Sequence, residues 1–181
     1  VRIIAGEYSS RRIEAPRGMN TRPTLDQVRE AVFSSLGGMF EGGSFLDLYA
    51  GSGANGLEAV SRGFSHSTFV DSSREAVTVI KKNIQTLKCN DFCTVLCMKD
   101  SAALKKLSEE KFDCIYMDPP YAKQKNAEIL PYLSDHEMVK PGGRVVIESA
   151  KEDEFKEDYE HLYYEKDKVY GIVRITYYRG R

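Results

Sequence analysis

Apolar positions along the 181-residue chain alternate between two periods. Short apolar-rich runs fall at 44–49, 67–71, 94–98, 112–117 and 144–148, and these predict strands. Between them, apolar residues return every third or fourth position over 54–62, 73–87, 102–107 and 126–136, and these predict helices. Upstream, strands at 2–5 and 11–15 around a polar turn predict a hairpin, followed by a loop over 16–23. A helix then begins at Thr24, where Thr24 and Gln27 match a capping box and Leu25, Val28, Val32 and Leu36 keep helical spacing. The pairs Gly37-Gly38 and Gly42-Gly43 end it.

Strands alternating with helices imply a doubly wound α/β fold, its sheet mostly parallel and joined by right-handed crossovers. The last two strands, at 162–169 and 172–178, are separated only by Tyr170-Gly171. That is too short for a crossover, so they form an antiparallel hairpin at one edge. No repeat or low-complexity tract interrupts the pattern, and one domain over 1–181 is expected.

Composition narrows the class. With 41% hydrophobic and 29% charged residues and only short apolar runs, nothing in the chain reads as a membrane span. The start, Val1-Arg2-Ile3-Ile4-Ala5-Gly6-Glu7, lacks the apolar stretch of roughly 7–15 residues of a secretory signal, so a cytoplasmic protein is expected. Cys89, Cys93 and Cys97 recur every fourth residue, but 93–97 reads as a strand and no histidine lies nearby. With Cys114 they are expected to be reduced, packed thiols, and no metal site is expected. The formal net charge of −1 hides an uneven distribution. Residues 1–22 carry Arg2, Arg11, Arg12, Arg17 and Arg22 against Glu7 and Glu14, 166–181 are also basic, and 148–165 hold eight acids against two lysines. Any polyanion must therefore meet a local face.

In such a sheet, ligands bind beyond the carboxyl ends of the strands. The run Asp47-Leu48-Tyr49-Ala50-Gly51-Ser52-Gly53 is a strand feeding a glycine-rich turn at the head of a helix. The glycines alone would also suit a dinucleotide, but the acid before them favours an ammonium over a phosphate. Asp71, followed by Ser72, ends the next strand where a carboxylate takes a ribose hydroxyl pair, which suits an adenosine. Asp100-Ser101 follows the third strand, with an acid placed to accept from an adenine amino group.

The most specific segment is Asp118-Pro119-Pro120-Tyr121, directly after a strand. Consecutive prolines remove two backbone donors and stiffen the turn. A carboxylate, a fixed carbonyl and an aromatic face make a receptor for a flat heterocycle bearing an exocyclic amine. Glu148 ends a later strand, as either a pocket wall or a strand-end charge.

These ordered motifs resemble those of S-adenosylmethionine-dependent methyltransferases acting on exocyclic amines. The opening Arg2-Ile3-Ile4-Ala5-Gly6, the segment from Thr21-Arg22-Pro23-Thr24 to Val28-Arg29-Glu30-Ala31-Val32-Phe33, and Gly56-Leu57-Glu58-Ala59 with Ser61-Arg62-Gly63 narrow the likeness. They are similar to the bacterial 16S rRNA (guanine(966)-N(2))-methyltransferase family over nearly the whole chain. The resemblance implies that Asp118, Pro119, Pro120 and Tyr121 are catalytic. It also implies that Asp47, Tyr49, Ala50, Gly51, Ser52, Gly53, Asp71, Ser72, Asp100 and Ser101 hold S-adenosylmethionine, with Asp118 shared between the two sets. The partner it implies is 16S rRNA, within a small-subunit ribonucleoprotein particle, met by Arg2, Arg11, Arg12, Arg17, Arg22, Lys123 and Lys125.

Two other functions fit the turn. Adenine-N6 methylation of DNA would need recognition structure beyond this core. A silent cofactor-fold module for RNA binding or assembly would not need Asp118 and Tyr121. A dinucleotide dehydrogenase is disfavoured by Asp47.

Overall fold

A computed structural model describes residues 1–18 and 23–181. It comprises two compact units, Val1–Ala103 and Leu104–Arg181.

In the first unit, helix α1 (Pro23–Leu36) precedes three parallel strands, β1 (Ser44–Asp47), β2 (His66–Asp71) and β3 (Cys93–Cys97), in the order β3-β2-β1. The crossovers are helices α2 (Ala54–Ser61) and α3 (Arg74–Leu87), and α4 (Asp100–Lys106) follows β3. Helix α3 forms because Ala76, Val77, Ile80, Ile84 and Leu87 make one apolar stripe, and because Ser73 accepts from the Ala76 N–H at its start. Ile80, Ile84 and Leu87 of the stripe pack with Leu57 and Val60 of α2, Phe69 of β2 and Ile3, Tyr8 and Ile13 of the N-terminal segment.

That segment departs from the expected hairpin. Its pairing reduces to one antiparallel bridge, Arg2 with Arg12, flanked by Ile3 N–H to Arg11 O and Ile13 N–H to Val1 O, both 2.9 Å. The reason is competition for the backbone donors. The N–H groups of Ile4 and Ala5 go to the Glu58 carboxylate at 2.9 and 3.1 Å, and Glu14 exchanges two bonds with the Asn83 amide. Glu58 is fully buried and also takes Arg62 Nε at 2.7 Å, while Arg29 lies 3.4 Å away. Arg62 reaches on to Glu30 and Arg29 to Asp26, so α1 joins the same ionic network.

Helix α1 starts one residue before Thr24, whose side chain, like the loop residues 19–22, lies outside the described residues. Its buried face is Val28, Val32 and Phe33; Leu25, expected on that face, is exposed. Cys97 is also exposed, against the expectation that all four thiols pack, because β3 is an outer strand.

In the second unit, β4 (Phe112–Met117) and β5 (Val139–Ala150) are parallel and connected through α5 (Asn126–Asp135). Antiparallel β6 (Leu162–Tyr170) and β7 (Val173–Gly180) complete the order β4-β5-β7-β6. The closing hairpin is as expected, with β7 inside against β5 and β6 outside. Strand β5 begins five residues earlier than expected, because Val139 pairs with Phe112 before a register shift. In β6 a second shift between Tyr164 and Lys166 sets Glu165 apart from the ladder. No helix among the described residues is long and apolar enough to cross a membrane.

Glu58→Ala should leave the buried Arg62 and Arg29 without the carboxylate they share, keeping only Glu30 and Asp26. The cost of breaking such a pair is about 3–5 kcal/mol. Urea unfolding should show that loss, and trypsin should cut sooner at Arg11 and Arg12. A change below about 1 kcal/mol would contradict the account.

Candidate active site

In the first unit, the turn after β1 is held by the carboxylates that end β1 and β2. Asp47 is 1% exposed; its Oδ2 accepts from the Gly56 N–H of α2 at 2.9 Å. Its Oδ1 is buried and has no hydrogen-bond partner among the described residues. Burial pushes this carboxyl up from 3.8 to about 7; the Gly56 hydrogen bond opposes the rise and the Asp71 charge adds to it.

Asp71 accepts from Gly51 N–H through Oδ2 and from Ser73 N–H through Oδ1, both at 2.9 Å. Each oxygen keeps a further lone pair for a ligand hydroxyl. Gly53 caps α2 at φ 83, a left-handed conformation that a side chain would strain. Its neighbour Gly56 is needed for space, since an added Cβ would lie 2.3 Å from the Phe69 ring.

Tyr49 donates to Asp100 Oδ2 at 2.8 Å, and Ser101 N–H donates to Asp100 Oδ1 at 2.7 Å. Burial, then the bond to Asp100, holds the Tyr49 hydroxyl well above its ordinary range, so it stays a donor. The first unit therefore ties Gly51 to Asp71 and Tyr49 to Asp100 by hydrogen bonds, with Asp47 near enough to Asp71 to feel its charge. Ala50 and Ser52 are buried in the turn, and Ser72 and Ser101 are exposed beside it.

Two residues that order this unit were not singled out for a role in the sequence. Asn83 is 1% exposed and donates to Ser52 O at 2.9 Å while gripping Glu14. Its signal was a lone amide inside the apolar stripe of α3. Glu58 was quoted only as part of a motif, and its signal was an acid between apolar neighbours four residues before an arginine.

In the second unit, Asp118-Pro119-Pro120-Tyr121 follows β4 directly. Pro119 is buried. Pro120 is extended at φ −55, ψ 128, and its carbonyl takes the Lys123 N–H at 3.0 Å, starting a short 3₁₀ turn over Tyr121–Lys123. The prolines thus hand the chain to a turn that leaves Tyr121 37% exposed. Burial, then Glu148 and Asp118, push the Tyr121 hydroxyl upward, so it is a neutral phenol at any ordinary pH. Lys123 and Lys125 are exposed close by in sequence.

Of the basic N-terminal residues, Arg2, Arg11, Arg12 and Arg17 are exposed, and Arg2 and Arg12 are bridge partners. Arg2 pairs with Asp26 at 3.3 Å, and Arg11 donates to Thr86 O. Arg22 lies outside the described residues. Among the described residues, no group of three or more His, Cys, Asp or Glu side chains is placed to hold a metal.

The family model described as "Conserved hypothetical protein 95" matches residues 1–179. The Bacillus subtilis protein YlbH is 36% identical over 100% of both chains. Ribosomal RNA small subunit methyltransferase D of Haemophilus influenzae is 30% identical, covering 99% of this chain and 94% of that protein. The solved structure of Escherichia coli yhhF is 28% identical with a TM-score of 0.86, covering 100% of this chain and 98% of that one. The fold is thus the α/β, Rossmann-like methyltransferase fold with a mixed sheet.

The folded Asp47 carboxyl keeps its proton to about 7, whereas the unfolded one releases it near 3.8. The folded state binds more protons between those values, so this group lowers stability as pH rises through the window. Asp47→Asn removes that slope. Relative to wild type, the variant should gain on the order of 4 kcal/mol between the bottom and the top of the window. Urea melts of both proteins at several pH values check this; a difference that does not change with pH would refute it.

Proposed function

The chain belongs to the family described as Conserved hypothetical protein 95, and on that footing we propose that it methylates the exocyclic N2 amine of a guanine in small-subunit (16S) ribosomal RNA, using S-adenosylmethionine. The observation that carries the chemistry is the Asp118-Pro119-Pro120-Tyr121 turn, with a strand-end carboxylate and a part-exposed ring. The rRNA substrate is supported by the name of the Haemophilus influenzae relative.

The residues of the first unit fit the cofactor. The buried, unpartnered Oδ1 of Asp47 suits the ammonium of its methionine moiety, and the Asp71 oxygens keep acceptor capacity for ribose hydroxyls. Asp100, held by Tyr49, takes the adenine amine in this reading. When bound, the cofactor supplies a methyl group already activated on a sulfonium.

Guanine N2 is a weak nucleophile because its lone pair is delocalised into the ring. Asp118 accepts one N2 hydrogen and the Pro119 carbonyl the other, which turns the lone pair out of conjugation. Both acceptors gain strength as positive charge builds on the nitrogen. Asp118 then receives the proton that the methylated amine sheds. Tyr121 stacks on the extruded base and offsets part of its unstacking cost, a few kcal/mol.

Arg2, Arg11, Arg12, Arg17 and Arg22 of the N-terminal segment, with Lys123 and Lys125, take RNA phosphates. So few contacts on a chain of net charge −1 give salt-sensitive binding, which favours a structured ribonucleoprotein as substrate.

Single-turnover methyl transfer to small-subunit particles, run beside calorimetry of the cofactor, tests the assignment. Asp118→Ala should slow the chemical step about 10²-fold or more, well beyond any change in cofactor affinity. Tyr121→Phe should be mild, and Tyr121→Ala should lose the stack, worth roughly 1–3 kcal/mol. Near wild-type transfer by Asp118→Ala would overturn the reading in favour of a silent module.

A further inference from the structure

Glu148 follows the apolar run Val145-Val146-Ile147 of β5, yet its side chain is buried, with 7% exposed. Strands β4 and β5 are parallel, pairing Tyr116 with Val146 and Met117 with Ile147. Asp118 is the first residue after β4 ends, and Glu148 is the next residue of β5. A two-residue period puts Tyr116, Val146 and Glu148 on one face of the sheet, and Met117 and Ile147 on the other. The Tyr116 hydroxyl reaches along that face to donate to Glu148 Oε2 at 3.2 Å. Glu148 and Asp118 are also the two acids whose charge is felt at the Tyr121 hydroxyl. Two carboxylates therefore lie near the ring on which, in the function proposed above, the target base stacks.

That function requires one acid at the amine, so the second calls for its own explanation. On its Watson–Crick edge, guanine carries two adjacent donors, the N2 amine and N1–H. Adenine presents its amine beside an N1 lone pair. A second carboxylate next to the amine acceptor is thus complementary to guanine and repels adenine. We propose that Glu148 accepts the N1–H of the target guanine while Asp118 accepts from its N2 amine, so that Glu148 is the residue selecting guanine over bases with an unprotonated N1. The selectivity comes from repulsion as well as attraction: an N1 lone pair would face carboxyl oxygen lone pairs with no proton between them.

The inference rests on the proposed function, and the test separates the two. Small-subunit particles are reconstituted with synthetic RNA in which the guanine that wild type methylates is kept, or replaced by 2,6-diaminopurine or adenine. Diaminopurine keeps the N2 amine but has an N1 lone pair. Relative kcat/KM is measured with labelled S-adenosylmethionine for wild type, Glu148→Gln and Glu148→Ala. Wild type should prefer guanine over diaminopurine by about 100-fold or more. Glutamine can still accept from the Tyr116 hydroxyl, and by turning its amide it accepts from N1–H or donates to an N1 lone pair. Glu148→Gln should therefore reduce the preference at least about tenfold, with an absolute gain on diaminopurine. Glu148→Ala should lose activity on both bases. A Glu148→Gln preference within about twofold of wild type would overturn the inference and leave Glu148 as a support for Tyr116 alone. Equal wild-type turnover of guanine and diaminopurine would overturn it too. Failure of wild type to methylate guanine, with transfer to adenine instead, would overturn the proposed function and this inference with it.

Discussion

A single carboxylate with no solvent exposure sets the order of the first unit. Glu58 sits on the buried face of α2, where an unpaired charge would be untenable, and every donor that neutralises it comes from an element needing to be placed. Ile4 and Ala5 bring the N-terminal segment; Arg29 brings α1; Arg62 secures the end of α2 and reaches Glu30. Helix packing alone would let these parts slide, because apolar contacts are non-directional. Hydrogen bonds to one buried anion fix their register. An arginine-rich N-terminal segment is thereby held in place by an acid that makes no contact with solvent.

The acids at the strand ends follow a related logic. Asp47, Asp71 and Asp100 each use at least one oxygen within the protein, on Gly56 N–H, on Gly51 and Ser73 N–H, and on Tyr49 and Ser101. Such bonds lock the turn before any ligand arrives, which lowers the ordering cost of binding. Asp47 differs from the others in that one oxygen is both buried and unmatched, and burial, helped by the Asp71 charge, drives it toward the protonated form.

The alternation of strands and helices was legible because both periods are strong in this chain: β4 was bounded to the residue, and α3 was recognised from its stripe and Ser73. The strand-end acids were legible as positions, since the topology of the class dictates where ligands go. Their internal partners were not, because a hydrogen bond from Gly56 to Asp47 depends on how α2 docks rather than on any local pattern. The N-terminal hairpin was over-read for the same reason. Its alternating residues look like strands, but Glu58 and Asn83, distant in sequence, take the donors and acceptors a ladder would use. Leu25 shows the opposite error, an apolar residue at helical spacing that the fold leaves in solvent. Glu148 was left between pocket wall and strand-end charge; its burial and its bond from the Tyr116 hydroxyl follow from the pairing of β4 with β5, which no local pattern shows.

Strand β6 forms the outer edge of the second unit, with Glu165, Lys166, Asp167 and Lys168 in its middle and a register shift beside Glu165. An outer strand offers a row of backbone donors and acceptors to any extended chain that approaches it. Here an incoming strand would have to desolvate both signs of charge and follow a backbone that leaves its ladder halfway along. That edge is therefore a poor template for templated aggregation, so a hairpin rich in tyrosine can close the sheet without seeding fibrils.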